Sequence, residues 1–171
     1  GIARREGYEI MFRQRDEENA RAYARRPKSI YRAGTATSSQ LDILRSMIAV
    51  CREQEITLHM VIYHYHAHLL ETFHAVALWP AFEEWKRALT RLVDEGNRAR
   101  ATPVAKLWDF SGYNAYSTEQ VPAPGDKKSA IHWYWEAGHF KQALGEVMLQ
   151  TMFARDGRGA NIQFGVQLTP I

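Results

Sequence analysis

The chain has 171 residues, of which 46% are hydrophobic and 12% aromatic, ample for a packed core and too apolar for a disordered segment. Its net charge of +3 is uneven: up to residue 32 eight Arg and one Lys face five acids, which leaves the remainder close to neutral. The single cysteine, Cys51, excludes an internal disulfide framework and a four-thiolate zinc site, and no apolar run approaches the roughly 18–20 residues of a membrane span.

The opening Gly-Ile-Ala-Arg-Arg-Glu-Gly does not read as a signal peptide, and residues 1–13 carry no clear period. Arg15 to Arg26 reads as a short polar helix that Pro27 stops. Acids interleave with the arginines at helical spacing, which favours a solvated helix face over a nucleic-acid-binding arm. No nucleic-acid partner and no transmembrane segment are expected. Residues 1–37 therefore form a basic N-terminal arm and linker, within one α/β domain spanning 1–171.

Ser38 or Ser39 caps a helix that presents Leu41, Leu44, Ile48 and Cys51 on one side and ends near Glu53. Ile56–Tyr63 has the β-branched run of a buried strand. Pro80 opens another helix, Ala81 to Glu95, with Phe82, Trp85, Leu89 and Leu92 inward, and Gly96 ends it. Pro103–Phe110 reads as a second strand, and Ser111–Lys128 as a long loop. An amphipathic helix with Phe140, Ala143, Leu144, Val147, Met148 and Met152 on one stripe follows, and Arg155–Gly159 ends it. Phe164–Leu168 is a terminal extended piece. Helix–strand–helix–strand–helix predicts α/β with a parallel sheet flanked by helices and joined by right-handed crossovers. Ligands of such sheets sit beyond the carboxyl ends of the strands, where three segments converge: His64–His68, Asp109–Asn114 and Glu136/His139.

Two clusters there carry chemistry. In Glu136-Ala-Gly-His139 a carboxylate precedes a His by three residues at the entry to a helix. It can hold the imidazole in one tautomer and stabilise its charged form, as a general base in acyl transfer requires. The bland alternative is a solvated His at a helix N-terminus. The second cluster is His64-Tyr-His66-Ala-His68. On an extended segment these three rings point the same way and could converge on zinc or another divalent metal, completed by Asp109 or Glu71. Its bland alternative is a hydrogen-bonded His cluster at a strand end. Asp109, Asn114 and Tyr116 are candidate substrate-binding residues. Tyr113, Tyr116, Trp133 and Trp135 are either a carbohydrate platform or core anchors. Ser111 and Ser117 lack the strained turn of a nucleophile.

The run Ser129–Leu149, the preceding Leu107-Trp-Asp-Phe-Ser-Gly-Tyr113 and the strand–helix unit upstream resemble the C-terminal half of SGNH (GDSL-like) hydrolases and acyltransferases that modify cell-surface polysaccharides. The resemblance covers roughly Ser39 to Leu149. It implies a partial SGNH-like, flavodoxin-like three-layer fold, in which His139 is the catalytic base and Glu136 its orienting acid. It also implies an acylated small molecule or polysaccharide as partner, no cofactor, and a periplasmic or cell-surface location. The sequence departs from the family twice. Glu136 stands where the family usually has Asp, and no Gly-Asp-Ser nucleophile block occurs; Gly34-Thr-Ala-Thr-Ser-Ser39 is not one. The resemblance thus makes the chain the C-terminal part of a larger domain, inactive alone, with the nucleophile on a missing N-terminal segment. The alternatives are a metal-binding module built on His64, His66 and His68, or a non-catalytic interaction domain.

Overall fold

Strong apolar periods formed where the sequence carries them, and the computed structural model describes residues 7–25, 28–98, 102–153 and 164–169. The expected stops at Pro27 and Arg155–Gly159, and the first six residues of the basic arm, lie outside the described residues. In chain order the elements are α1 (Tyr8–Ala24), α2 (Ser39–Glu53), β1 (Leu58–Ile62), α3 (Ala67–Ala75), α4 (Trp79–Asn97), β2 (Ala105–Asp109), β3 (Tyr134–Glu136), β4 (His139–Phe140), α5 (Gln142–Phe153) and β5 (Val166–Leu168). Together they make a mixed α/β architecture with helices flanking a small mixed sheet. Among the described residues no helix is long and apolar enough to cross a membrane.

The described residues fall into two compact units that interleave along the chain. One draws on Lys28–Ile62, Leu78–Asp109 and Val166–Ile171, the other on Gly1–Pro27, Tyr63–Ala77 and Phe110–Gly165.

The first unit holds the main sheet, in the order β1-β2-β5. β1 and β2 are parallel, with Leu58 opposite Ala105 and Ile62 opposite Asp109. Parallel pairing needs a crossover, and α4 supplies it. Leu107 and Asp109 of β2 pair with Leu168 and Val166 of β5, but antiparallel. The expected parallel pairing of the two strands is present, and the expected parallel sheet is corrected to a mixed one by β5: an antiparallel strand added at the edge of a parallel pair is a common way to finish such sheets. Ile62, Ala105 and Leu107 pack with Leu41 and Ile48 of α2 and Ala88, Leu89, Leu92 and Val93 of α4 in one core. Each fully buried Leu or Ile there stabilises the fold by roughly 1.5–3 kcal/mol.

Three polar devices fix the ends of these elements. Ser38 caps α2 by accepting from the Leu41 N–H. Asn97, the last residue of α4, accepts from the Val104 and Ala105 N–H groups at 2.9 and 3.0 Å and donates to the Ala105 carbonyl at 2.8 Å. It thereby seals the start of β2. Gly96 sits where α4 meets α2, and a Cβ there would overlap the Ile48 side chain.

The second unit is built on α1, α3, α5, the small β3–β4 hairpin and the long loop between Phe110 and Ile131. α1 starts at Tyr8, seven residues before the polar helix expected from Arg15. It lacks an apolar stripe. Phe12, fully buried, plugs it edge-on against His66 and His68 at 4.9 and 5.6 Å, and Glu9–Arg13 and Glu17–Arg21 ion pairs line its outer face. Such pairs add only about 0.3–0.5 kcal/mol each, so the aromatic plug is the main anchor.

Candidate functional site

Residues 134–140 determine where the acid and the histidine sit. Tyr134 is fully buried, and its strand runs to Glu136, where the chain turns through Ala137 and Gly138 into β4. β3 and β4 are antiparallel, with Glu136 directly opposite His139. Cross-strand partners bring their side chains together. His139 therefore lies on a strand, three residues ahead of α5, and not at the helix N-terminus that the spacing predicts. The hairpin takes precedence because Lys141 N–H donates to the Trp133 carbonyl at 2.7 Å, which delays helix entry until the Lys141 carbonyl accepts the first α5 bonds.

The expected contact between the two side chains is present. Glu136 Oε1 and His139 Nδ1 are hydrogen-bonded. Oε2 accepts from the Gly138 N–H at 2.7 Å and faces Arg15 Nε at 3.3 Å. The Glu136 side chain is only 7% exposed, whereas His139 is 66% exposed. A buried carboxylate thus grips Nδ1 of a ring that stands out into solvent, and no protein group among the described residues bonds Nε2. If Nδ1 carries the proton, as the carboxylate partner demands, Nε2 is an available base. Phe140 is stacked on Tyr63 at 4.6 Å. The Tyr63 hydroxyl is pushed up, first by burial and then by the Glu136 charge, against the lowering effect of the Phe140 backbone.

The histidine cluster is resolved into separate jobs. His64 is fully buried, and its Nδ1 donates to the Phe110 carbonyl at 2.5 Å. Burial pushes its imidazole down to about 4, opposed by that carbonyl bond and reinforced by the neighbouring His66. His66 uses both nitrogens: Nε2 donates to the Glu119 carbonyl at 2.8 Å, and Nδ1 accepts the His68 N–H at 3.2 Å as the cap of α3. Burial lowers its pKa as well. His68 lies on α3, with Nδ1 2.8 Å from Asp16 Oδ2. The metal expectation for His64, His66 and His68 is corrected here. The strand-like alternation behind it ends at His66, where the helix begins. The three rings bond three different partners, and among the described residues no group of three or more His, Cys, Asp or Glu could hold a metal ion.

The remaining candidates also have structural roles. Asn114 Oδ1 accepts from the Tyr116 and Ser117 N–H groups at 2.9 and 3.1 Å, an Asx turn, and its Nδ2, the group expected to donate to substrate, donates to the Gly112 carbonyl at 3.5 Å. Tyr116 is buried edge-on against Trp133 at 4.9 Å, which makes it a core anchor. Ser117 is fully buried, with Oγ held between the Asn114 N–H and carbonyl. Asp109 closes β2 in the other unit and pairs with Lys86 at 3.3 Å. Trp135, by contrast, is half exposed beside the pair. Its ring is stacked on Tyr8 at 6.5 Å, with Lys141 Nζ near both faces. Glu119 ties the long loop to the hairpin by accepting from the His132 and Trp133 N–H groups at 2.5 and 2.8 Å.

Sequence reasoning missed Arg15, Tyr63 and Lys141. Arg15 and Tyr63 are remote in sequence from the Glu-x-x-His and no local pattern marks them, while Lys141 stands two residues after His139 and its reach to Tyr8 is what the local sequence does not show. Comparison with models of protein families, with curated proteins and with solved structures finds no match for this chain.

Proposed function

We propose that the chain supplies the acid–histidine pair of an SGNH-like ester hydrolase or O-acyltransferase, with His139 as general base and Glu136 as its orienting acid. In this reading the two units belong to the C-terminal part of a larger three-layer domain. A hydroxyl nucleophile from another segment attacks the acyl carbon while His139 Nε2 takes its proton, and the same nitrogen returns it to the leaving alkoxide. The acyl group would reside on a polysaccharide or a small alcohol outside the cytoplasm, as the sequence resemblance implies. The observation that carries the reading is the buried carboxylate on Nδ1 of an exposed imidazole whose other nitrogen is unengaged. A solvated surface His has no need of such a partner.

Competitive labelling with diethyl pyrocarbonate at pH 8, above the ordinary imidazole range, tests this. Peptide mass spectrometry should find His139 carbethoxylated several-fold faster than His132, which is also exposed but has no carboxylate at its ring among the described residues. Glu136→Gln should bring the two rates together and leave His132 unchanged. Equal rates in the unaltered protein, or no response to Glu136→Gln, would sink the assignment.

A further inference from the structure

Resting on that reading, we propose that Arg15 is a positioning residue for the Glu136–His139 pair, so that α1 belongs to the functional site. A carboxylate buried as deeply as Glu136 must have its charge and its lone pairs met. Three groups meet them: His139 on Oε1, and both the Gly138 N–H and Arg15 on Oε2. Only Arg15 brings a permanent charge. It draws Oε2 away from the imidazole and leaves Oε1 facing Nδ1. Arg15 is itself held on the far side, with Nη1 2.9 Å from Glu18 Oε2 one turn along its own helix.

The Nε–Oε2 contact is an ion pair and not an aligned hydrogen bond: Arg15 Nε is buried without a hydrogen-bond acceptor. Charge and reach therefore matter more than the guanidinium fork, and a lysine should serve. The rest of α1 fits this role. Tyr8, at its first turn, accepts from Lys141 Nζ at 2.9 Å, so the helix grips the hairpin at residues 136 and 141.

Histidine ring 15N NMR at pH 8 tests the inference. The unaltered protein should show His139 as a single Nδ1–H tautomer. Arg15→Met should give a mixture of tautomers at His139 and slow its carbethoxylation by roughly three-fold, the scale of a contact whose cation is 40% exposed. Arg15→Lys should restore the single form. His66 is the internal control, because its Nε2–H is fixed by the Glu119 carbonyl. If Arg15→Met disturbs the His66 signal, Arg15→Gln, which keeps polarity and most of the length, replaces it. A His139 that keeps one tautomer in the neutral variants while His66 is unchanged overturns the proposal. Failure of the underlying reading looks different: there Glu136→Gln itself leaves the His139 tautomer as it was.

Discussion

At the scale of single residues, His64 and His66 show how a histidine-rich stretch can be structural. Both are held neutral in the fold by burial, and each spends a ring proton on a backbone carbonyl of the long loop. This has a signed consequence for stability. An unfolded chain takes up a proton at each ring near pH 6.5, whereas folded His64 resists protonation until about pH 4. Between those values the unfolded state binds more protons, so stability is complete above pH 6.5 and falls with acidification through the window. The His64 contribution is about 3 kcal/mol across it, and His66 acts with the same sign. Urea unfolding at pH 7.5, 5.5 and 4.5 should show this loss. His64→Asn, whose amide can still donate to the Phe110 carbonyl, should have the shallower pH dependence. Parallel curves for the two proteins would show that His64 is not the group responsible.

At the scale of elements, the joint between α4 and β2 depends on one side chain. Asn97→Ala removes three hydrogen bonds and strands the buried starting N–H groups of the strand. It should cost about 2–3 kcal/mol, read as a lower denaturation midpoint with an unchanged slope. A cost within a few tenths of a kcal/mol would mean that water replaces the amide. The elements that were legible in the sequence are the ones with an unambiguous period. α2, β1, α4 and β2 each lie within about three residues of expectation, because apolar stripes and β-branched runs specify them without help from elsewhere. α1 and α3 were harder for a physical reason. α1 is held by one plugged aromatic and by polar contacts to distant residues, and α3 opens on a histidine cap that alternation disguises as strand. The β3–β4 hairpin, only five residues in its two strands, was invisible behind the helical stripe that follows it. Of the site, the acid–histidine contact was readable because it is local. Arg15 was not, because it reaches Glu136 from another helix.

At the scale of the whole molecule, the proposed reading gives the chain a base, and no described residue is assigned as the attacking hydroxyl. Ser117 is buried in a turn, with its Oγ held between the Asn114 N–H and carbonyl, and does not have the setting of a nucleophile. Positioning a base without a nucleophile and oxyanion donors forgoes most of the acceleration of acyl transfer. The isolated chain should therefore turn over short-chain aryl esters no faster than its His139→Ala variant once any single acylation of the ring is subtracted. Steady turnover above that variant, with an acyl group trapped on a serine, would refute the division of labour proposed above and identify the missing hydroxyl.

The order β1-β2-β5 leaves β1 at the margin of its sheet, with no strand along its other side among the described residues. Around it runs Ile56-Thr-Leu-His-Met-Val-Ile-Tyr63, mostly apolar, free of proline and without a formal charge while His59 is neutral. Such a margin is an adhesive seam, ready to accept any extended peptide of suitable register, including the same stretch from a neighbouring molecule during folding. The protein tempers the hazard by brevity, since only five residues keep strand geometry.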